Sequence, residues 1–192
     1  LMMKLFTNWS IDKLKKWLLA CFLVILSVSI SGCQQIVQST KDNSFVEPEP
    51  SDWVKYNAPI MEYMYYRTQA VLKNDIEILW GKYPELKNNI DIQQGINVEN
   101  EEVKSFNRNF VLLDANYHIE SYDRMKVKTI NENEVIVLVH GSLVYLMNDF
   151  SESGGEYLIE AFLEREGGNW TVVKTDEYTL SEYKDWVSEN NE

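Results

Sequence analysis

The sequence predicts an α+β fold in which N-terminal helices precede an antiparallel meander of four or more strands. Three observations carry that expectation. Apolar residues recur at helical spacing between Ile60 and Trp80. After Asp114 the composition turns to β-branched and aromatic residues. The runs are separated by Asn131-Glu132-Asn133, by residues 148–155 and by Gly167-Gly168-Asn169, which are hairpin signals. Helices first and a meander afterwards is the α+β order.

The elements follow in turn. Pro59 suits a first helical turn, where its missing N–H costs nothing. Ile60, Met64 and Val71 then form one stripe, with Tyr65 and Leu72 beside it. Asn74-Asp75 breaks the pattern and can cap a short second helix facing inward through Ile76, Leu79 and Trp80. Pro84 ends it. A third helix is expected within residues 97–114, on Val103, Phe106, Phe110 and Leu113. Strands are expected over Ile119–Ile130, Glu134–Met147, Glu156–Glu166 and Trp170–Thr179. The second is apolar on both faces and therefore central, and Gly141 within it signals a bulge or sharp bend. Thr179 and Glu182 have capping-box spacing for a last short helix.

The domain so built spans residues 52–192, enough chain to bury about two-thirds of its unfolded surface. Residues 34–51 read QQIVQSTKDNSFVEPEPS, polar and without period, and are expected to be a flexible tether. Its r.m.s. span would be about 25 Å. Ahead of it, Lys4, Lys13, Lys15 and Lys16 precede WLLACFLVILSVSI, an uncharged run from Trp17 to Ile30. A spanning helix needs about 20 apolar residues, so the run fits a secretory signal peptide better than a permanent span. Leu1 before Met2 reads as a non-standard start codon.

Ile30-Ser31-Gly32-Cys33 resembles the lipobox of bacterial lipoproteins, in which small residues precede the cysteine that is lipidated. The resemblance implies a diacylglycerol on Cys33, cleavage before it, and a protein anchored on the extracytoplasmic face of a bacterial membrane. Two acyl chains suffice for stable anchoring. The other cysteine, Cys21, would leave with the signal peptide, so no disulfide is expected.

The chain carries 30 acidic and 18 basic residues, net −12. Removing residues 1–32 takes away four lysines and one aspartate, leaving 14 basic and 29 acidic residues, net −15. Such a surface excludes a nucleic-acid binder. An anionic bilayer would repel it, which makes lipid the expected membrane attachment.

From Ile60 to Tyr178 the chain resembles the nuclear transport factor 2-like superfamily. The residues that carry this are Tyr63–Tyr83, with the Lys73-Asn74-Asp75-Ile76 break and Tyr83-Pro84 close, and the Gly168-Asn169-Trp170-Thr171-Val172 ending. A cystatin-like arrangement is the nearest competitor. The resemblance implies a cone of curved sheet wrapped by helices. It spans ketosteroid isomerases and polyketide cyclases as well as domains that only bind or assemble, so fold alone does not fix function.

Enzymes of that superfamily hold an acid or base inside the cone. By that implication His140, Asp123 and, more weakly, His118 are the catalytic candidates, with Tyr122 and Tyr145 beside His140 as ligand-binding hydrogen-bond donors. Asp149, Ser151, Ser153, Gly154 and Glu160 match the spacing of a calcium loop, although serines replace acidic ligands and strands flank it. A polar hairpin is the plainer account, and no metal or cofactor is expected. No phosphate loop, nucleophile elbow or zinc spacing is present. Tyr63, Tyr65 and Tyr66 are too dense for one core stripe, so part of the cluster should be exposed. These features favour non-catalytic binding of a protein partner or small ligand. The alternatives are an isomerase- or cyclase-like enzyme and a structural subunit of an envelope assembly.

Overall fold

A computed structural model of the protein describes residues 45–106, 111–119 and 124–190. Cys33, Tyr122 and Asp123 lie outside the described residues. Helix α1 (Pro50–Lys73) is followed by α2 (Glu77–Lys82), a 3-10 turn (Pro84–Lys87) and α3 (Glu99–Phe106). Strands β1 (Leu112–His118), β2 (Met125–Asn131), β3 (Glu134–Met147), β4 (Glu152–Glu166) and β5 (Asn169–Glu177) come next, and α4 (Leu180–Asn190) closes the chain. The α+β expectation holds, as helices plus a curved antiparallel sheet.

Helix α1 starts earlier than expected. Pro50 occupies its first turn, the role the sequence reading gave to Pro59, and Pro59 is buried inside the helix. Residues from Val46 to Ser51, the end of the expected tether, therefore take part in the helix and sheet of the domain. Val46 exchanges backbone hydrogen bonds with Val127 of β2, at 2.9 and 2.7 Å. At the other end of α1 the break falls where expected. Asn74 adopts the left-handed conformation, with φ 52°, and the Asp75 carboxylate accepts from the Glu77 N–H at 3.0 Å.

The sheet has five strands. Long β3 pairs with β4 along one side, while β1 and β2 share the other, β1 along its Met147 end and β2 along its Glu134 end. β5 follows β4. The strand expected over Ile119–Ile130 is met by β2, which starts at Met125, and β1 is an additional strand that lies ahead of the expected range and begins where the third helix was expected to end. The third helix is described over Glu99–Phe106, Phe110 lies outside the described residues, and Leu113, expected on the helix's inner face, is 51% exposed at an irregularity of β1. Apolar residues three apart do not separate a helix from a strand in so short a run. β4 begins at Glu152, which shortens the expected loop to a tight turn.

Alternation along β3 and β4 defines two faces. The inner face holds Val135, Val137, Val139 and Tyr145 of β3 with Ile159, Ala161 and Leu163 of β4. These pack with Ile60, Tyr63, Met64 and Val71 of α1, all 1% exposed or less. Each aliphatic side chain buried this way contributes roughly 1.5–3 kcal/mol. The outer face carries Leu138, His140, Leu158 and Glu160, which are buried too, and α4 lies against it through Tyr183 and Trp186.

Gly141 is not a bulge. The β3–β4 register runs unbroken from Glu134↔Glu164 to Leu146↔Glu152. A Cβ at Gly141 would stand 2.4 Å from the Tyr157 hydroxyl and 2.8 Å from the His118 carbonyl oxygen. Glycine is needed there for space.

Candidate functional site

The richest polar cluster lies on the inner face, where α1 and α3 meet β3 and β5. Arg67 follows Met64 on the stripe that also holds Ile60 and Val71, so α1 drives a guanidinium into the core; it is 4% exposed. A buried arginine must be paired, and Arg67 is. Its Nε donates to Glu102 at 2.6 Å, its Nη2 to Glu177 at 2.8 Å and its Nη1 to the Tyr63 hydroxyl at 3.4 Å.

A second layer holds those partners. The Tyr63 hydroxyl donates to Glu99 at 2.8 Å, and the Thr175 hydroxyl donates to the same oxygen at 2.6 Å. The Tyr145 hydroxyl donates to Glu102 at 3.0 Å. Asn97 binds the Thr175 N–H through its side-chain oxygen at 2.9 Å and the Asn88 carbonyl through its amide at 2.7 Å. One guanidinium and three carboxylates therefore share this corner of the fold.

The electrostatics follow from burial. Desolvation works against the charge on Arg67, but Glu102 and Glu177 outweigh it and hold the guanidinium well above its ordinary pKa. Burial raises the Glu102 carboxyl; Arg67 pulls the other way, and Glu177 adds to the rise. Burial and Glu99 hold the Tyr63 phenol protonated, and burial and Glu102 do the same for Tyr145. The phenols are donors, and their acceptors are already in place.

Beside this network a cleft of about 470 Å³ opens, lined by Arg67, Glu101, Glu102, Phe106 and Glu177 among others. It is a cleft at the rim of the fold. The interior between α1 and the sheet is filled by Ile60, Tyr63, Met64, Val137, Val139 and Ile159, each 2% exposed or less.

His140 is elsewhere. Its neighbours Val139 and Gly141 face inward, so its ring faces outward beneath α4. Tyr145, five residues on, faces inward. The expectation that the two share a pocket fails on strand parity. The His140 ring lies 3.1 Å from the Tyr183 hydroxyl, 3.3 Å from a Glu156 oxygen and 2.7–2.8 Å from Arg124 Nη1. Trp186 meets it edge-on at 5.2 Å. Tyr183 also donates to Glu156, which lowers the Glu156 carboxyl, while burial and Glu156 push the Tyr183 phenol up to about 12. His118, at the end of β1, is exposed and lies 3.1–3.3 Å from the Ser142 hydroxyl.

The calcium spacing does not assemble. Asp149 accepts from the Ser151 N–H at 3.0 Å and from its hydroxyl at 2.5 Å in the β3–β4 turn. Glu160 sits far up β4 opposite Leu138, where Tyr178 donates to it at 2.8 Å. The eight residue steps of strand from Glu152 to Glu160 separate it from the turn by roughly 26 Å. Among the described residues no group of three His, Cys, Asp or Glu side chains could hold a metal.

The tyrosine cluster splits as expected. Tyr63 is buried and Tyr65 is 50% exposed. The network residues Arg67, Glu99, Glu102 and Glu177 were not singled out in the sequence. One signal was available: Arg67 falls on the apolar stripe of its own helix, where an unpaired charge is not tolerated.

No protein-family model matches the chain, and no curated protein matches it. Solved structures do. An NTF-2 like protein of unknown function from Shewanella oneidensis MR-1 is similar over 61% of this chain and 93% of its own, with 11% identity and a TM-score of 0.34. A protein of unknown function with a cystatin-like fold from Nostoc punctiforme is similar over 70% and 97%, with 11% identity and a TM-score of 0.39. A ketosteroid isomerase-like protein from Erwinia carotovora atroseptica is similar over 68% and 99%, with 12% identity and a TM-score of 0.38.

Proposed function

We propose that this chain is a bacterial lipoprotein, anchored through a diacylglycerol on Cys33 at the extracytoplasmic face of a membrane, whose domain binds a protein partner or small ligand without catalysis. The observation that carries the binding reading is the filled interior. An isomerase- or cyclase-like enzyme needs a free acid or base facing an open cavity. Here the inner-face polar groups Arg67, Tyr63, Tyr145 and Glu102 bond one another, so the cleft beside them meets groups already paired, and apolar side chains fill the interior between α1 and the sheet. The anchoring reading rests on the Lys-rich start, the uncharged run and Ile30-Ser31-Gly32-Cys33. No described helix is long and apolar enough to cross a membrane.

The test is fractionation of cells making the full chain or its Cys33→Ala variant, with metabolic labelling by a palmitate analogue. The wild type should carry the label and sediment with membranes, and Cys33→Ala should lose both properties. Full membrane retention of an unlabelled variant would overturn the anchor. For the domain, crosslinking on intact membranes should capture a partner or ligand reproducibly. Turnover of a substrate that survives Arg67→Met but not His140→Ala would overturn the non-catalytic reading.

A further inference from the structure

A second cleft, of about 520 Å³, runs along the exposed side of α1 against the β4–β5 hairpin. That volume is in the range of small-molecule sites. Its walls are mixed in character. Pro59 and Trp170 are apolar, Lys55 and Glu62 bear opposite charges, and Asn169 offers an amide. The hairpin turn brings the last two into place. Gly167 and Gly168 take φ values of 56° and 94°, which glycine adopts freely, and this folds Asn169 and Trp170 back toward the helix.

The polar groups are balanced and partly unused. Lys55 donates to the Tyr56 hydroxyl at 2.9 Å, and its ammonium lies 4.5 Å above the Tyr56 ring and 5.3 Å from the Trp170 ring. One oxygen of Glu62 meets Lys82 at 2.8 Å; both side chains are more than a third exposed. Among the described residues, the Asn169 amide and the Trp170 indole N–H make no side-chain hydrogen bond. One turn further along the same side of α1, Tyr66 lies under the Lys82 ammonium at 5.6 Å and meets Tyr65 edge-on. From Pro59 to Tyr66 the helix rises ~10 Å.

From this arrangement we propose that the cleft between α1 and the β4–β5 hairpin binds a neutral saccharide. The chemistry selects that class. Paired charges of both signs leave no net field for an ionic ligand, and the acidity of the whole chain disfavours an anion. A pyranose presents an apolar face of C–H groups to an aromatic ring and a rim of hydroxyls that both donate and accept. Trp170 supplies the apolar contact, with Tyr66 further along the helix. The Asn169 amide, the indole N–H and the Lys55 ammonium supply donors, and Glu62 supplies acceptors. The proposal deepens the reading of the domain as a binder and rests on it.

The test uses the full chain, extracted in a detergent without a sugar headgroup, with maltotriose, cellotriose and chitotriose as probes. Saturation-transfer NMR and titration calorimetry should report binding of at least one probe at about millimolar Kd, as for a small open site. Glu62→Gln and Asn169→Ala replace exposed groups and should each weaken it several-fold without changing Tm; Trp170→Ala should abolish it. Because Trp170 also packs on Tyr56 at 5.5 Å, the first two variants decide the matter if the third fails to fold. Failure of all three probes, or binding unchanged in both Glu62→Gln and Asn169→Ala, overturns the saccharide site. Crosslinked capture of a partner that persists in those variants, with no sugar bound, would overturn the cleft assignment and leave the binding function standing.

Discussion

Arg67 of the first helix donates through Nη2 to Glu177 at the end of the last strand, at 2.8 Å. The same guanidinium holds Glu102 of α3 through Nε at 2.6 Å. Three elements far apart in sequence therefore meet on one buried cation. Such a pair is weak evidence of net stabilisation, because desolvation offsets much of the attraction. Removing one partner is a different matter, since the others remain buried and charged.

Arg67→Met should thus destabilise the protein by about 3–5 kcal/mol. Urea unfolding followed by circular dichroism would measure it. A loss below about 1 kcal/mol, the range of exposed pairs, would mean the network is solvated.

Two carboxylates should respond to pH with opposite signs. Burial raises Glu102 above its ordinary 4.5, so the stability it contributes is fully present below that value and is lost as pH rises through its folded pKa. Relative to wild type, Glu102→Gln should gain Tm as pH climbs from 4.5 toward neutral. The bond from Tyr183 lowers Glu156, so its contribution is present above 4.5 and is lost as pH falls through its folded pKa. Glu156→Gln should cost stability at neutral pH and converge on wild type in acid. Glu156 is 43% exposed, so that cost should stay under about 1 kcal/mol. Parallel Tm–pH curves for both variants would contradict the assignment.

Gly141→Ala should destabilise by about 1–3 kcal/mol through overpacking. The new Cβ would press on the Tyr157 ring, which packs against the core, and on the backbone carbonyl of His118. Adding Tyr157→Phe should not rescue it, because the ring carbon at 2.6 Å and the His118 carbonyl oxygen at 2.8 Å remain. Thermal denaturation of the single and double variants tests this.

Chelating calcium should leave Tm unchanged, since Glu160 is held by Tyr178 far from the Asp149 turn. A drop of several degrees on adding EGTA, reversed by calcium, would show that the turn recruits other ligands.

Much of the architecture was legible because it is written in local chemistry. Asn74-Asp75 ends one helix and starts the next through a left-handed residue and a side-chain acceptor, both local events. Thr179 and Glu182 form their capping box, with Glu182 accepting from the Thr179 N–H at 2.8 Å. β3 is central as its two apolar faces required. The errors sit where local signals are degenerate. Pro59 could open a helix or lie within one, and Leu113 fits a helical or a strand period.

The candidate site was less legible. His140 and Tyr145 share the central strand, yet their odd separation places them on opposite faces of a pleated sheet. That could have been read from the numbering. What the sequence by itself determined is the order of helices and strands, the turns between them and the acidity of the chain, because each depends on neighbours in the chain. Only the tertiary structure decided that Arg67 would meet Glu102 and Glu177, that His140 would lie under the last helix, and that Trp170 would return to the side of α1. Those contacts join residues far apart in sequence, and packing selects among many chemically equivalent partners that no spacing rule can rank.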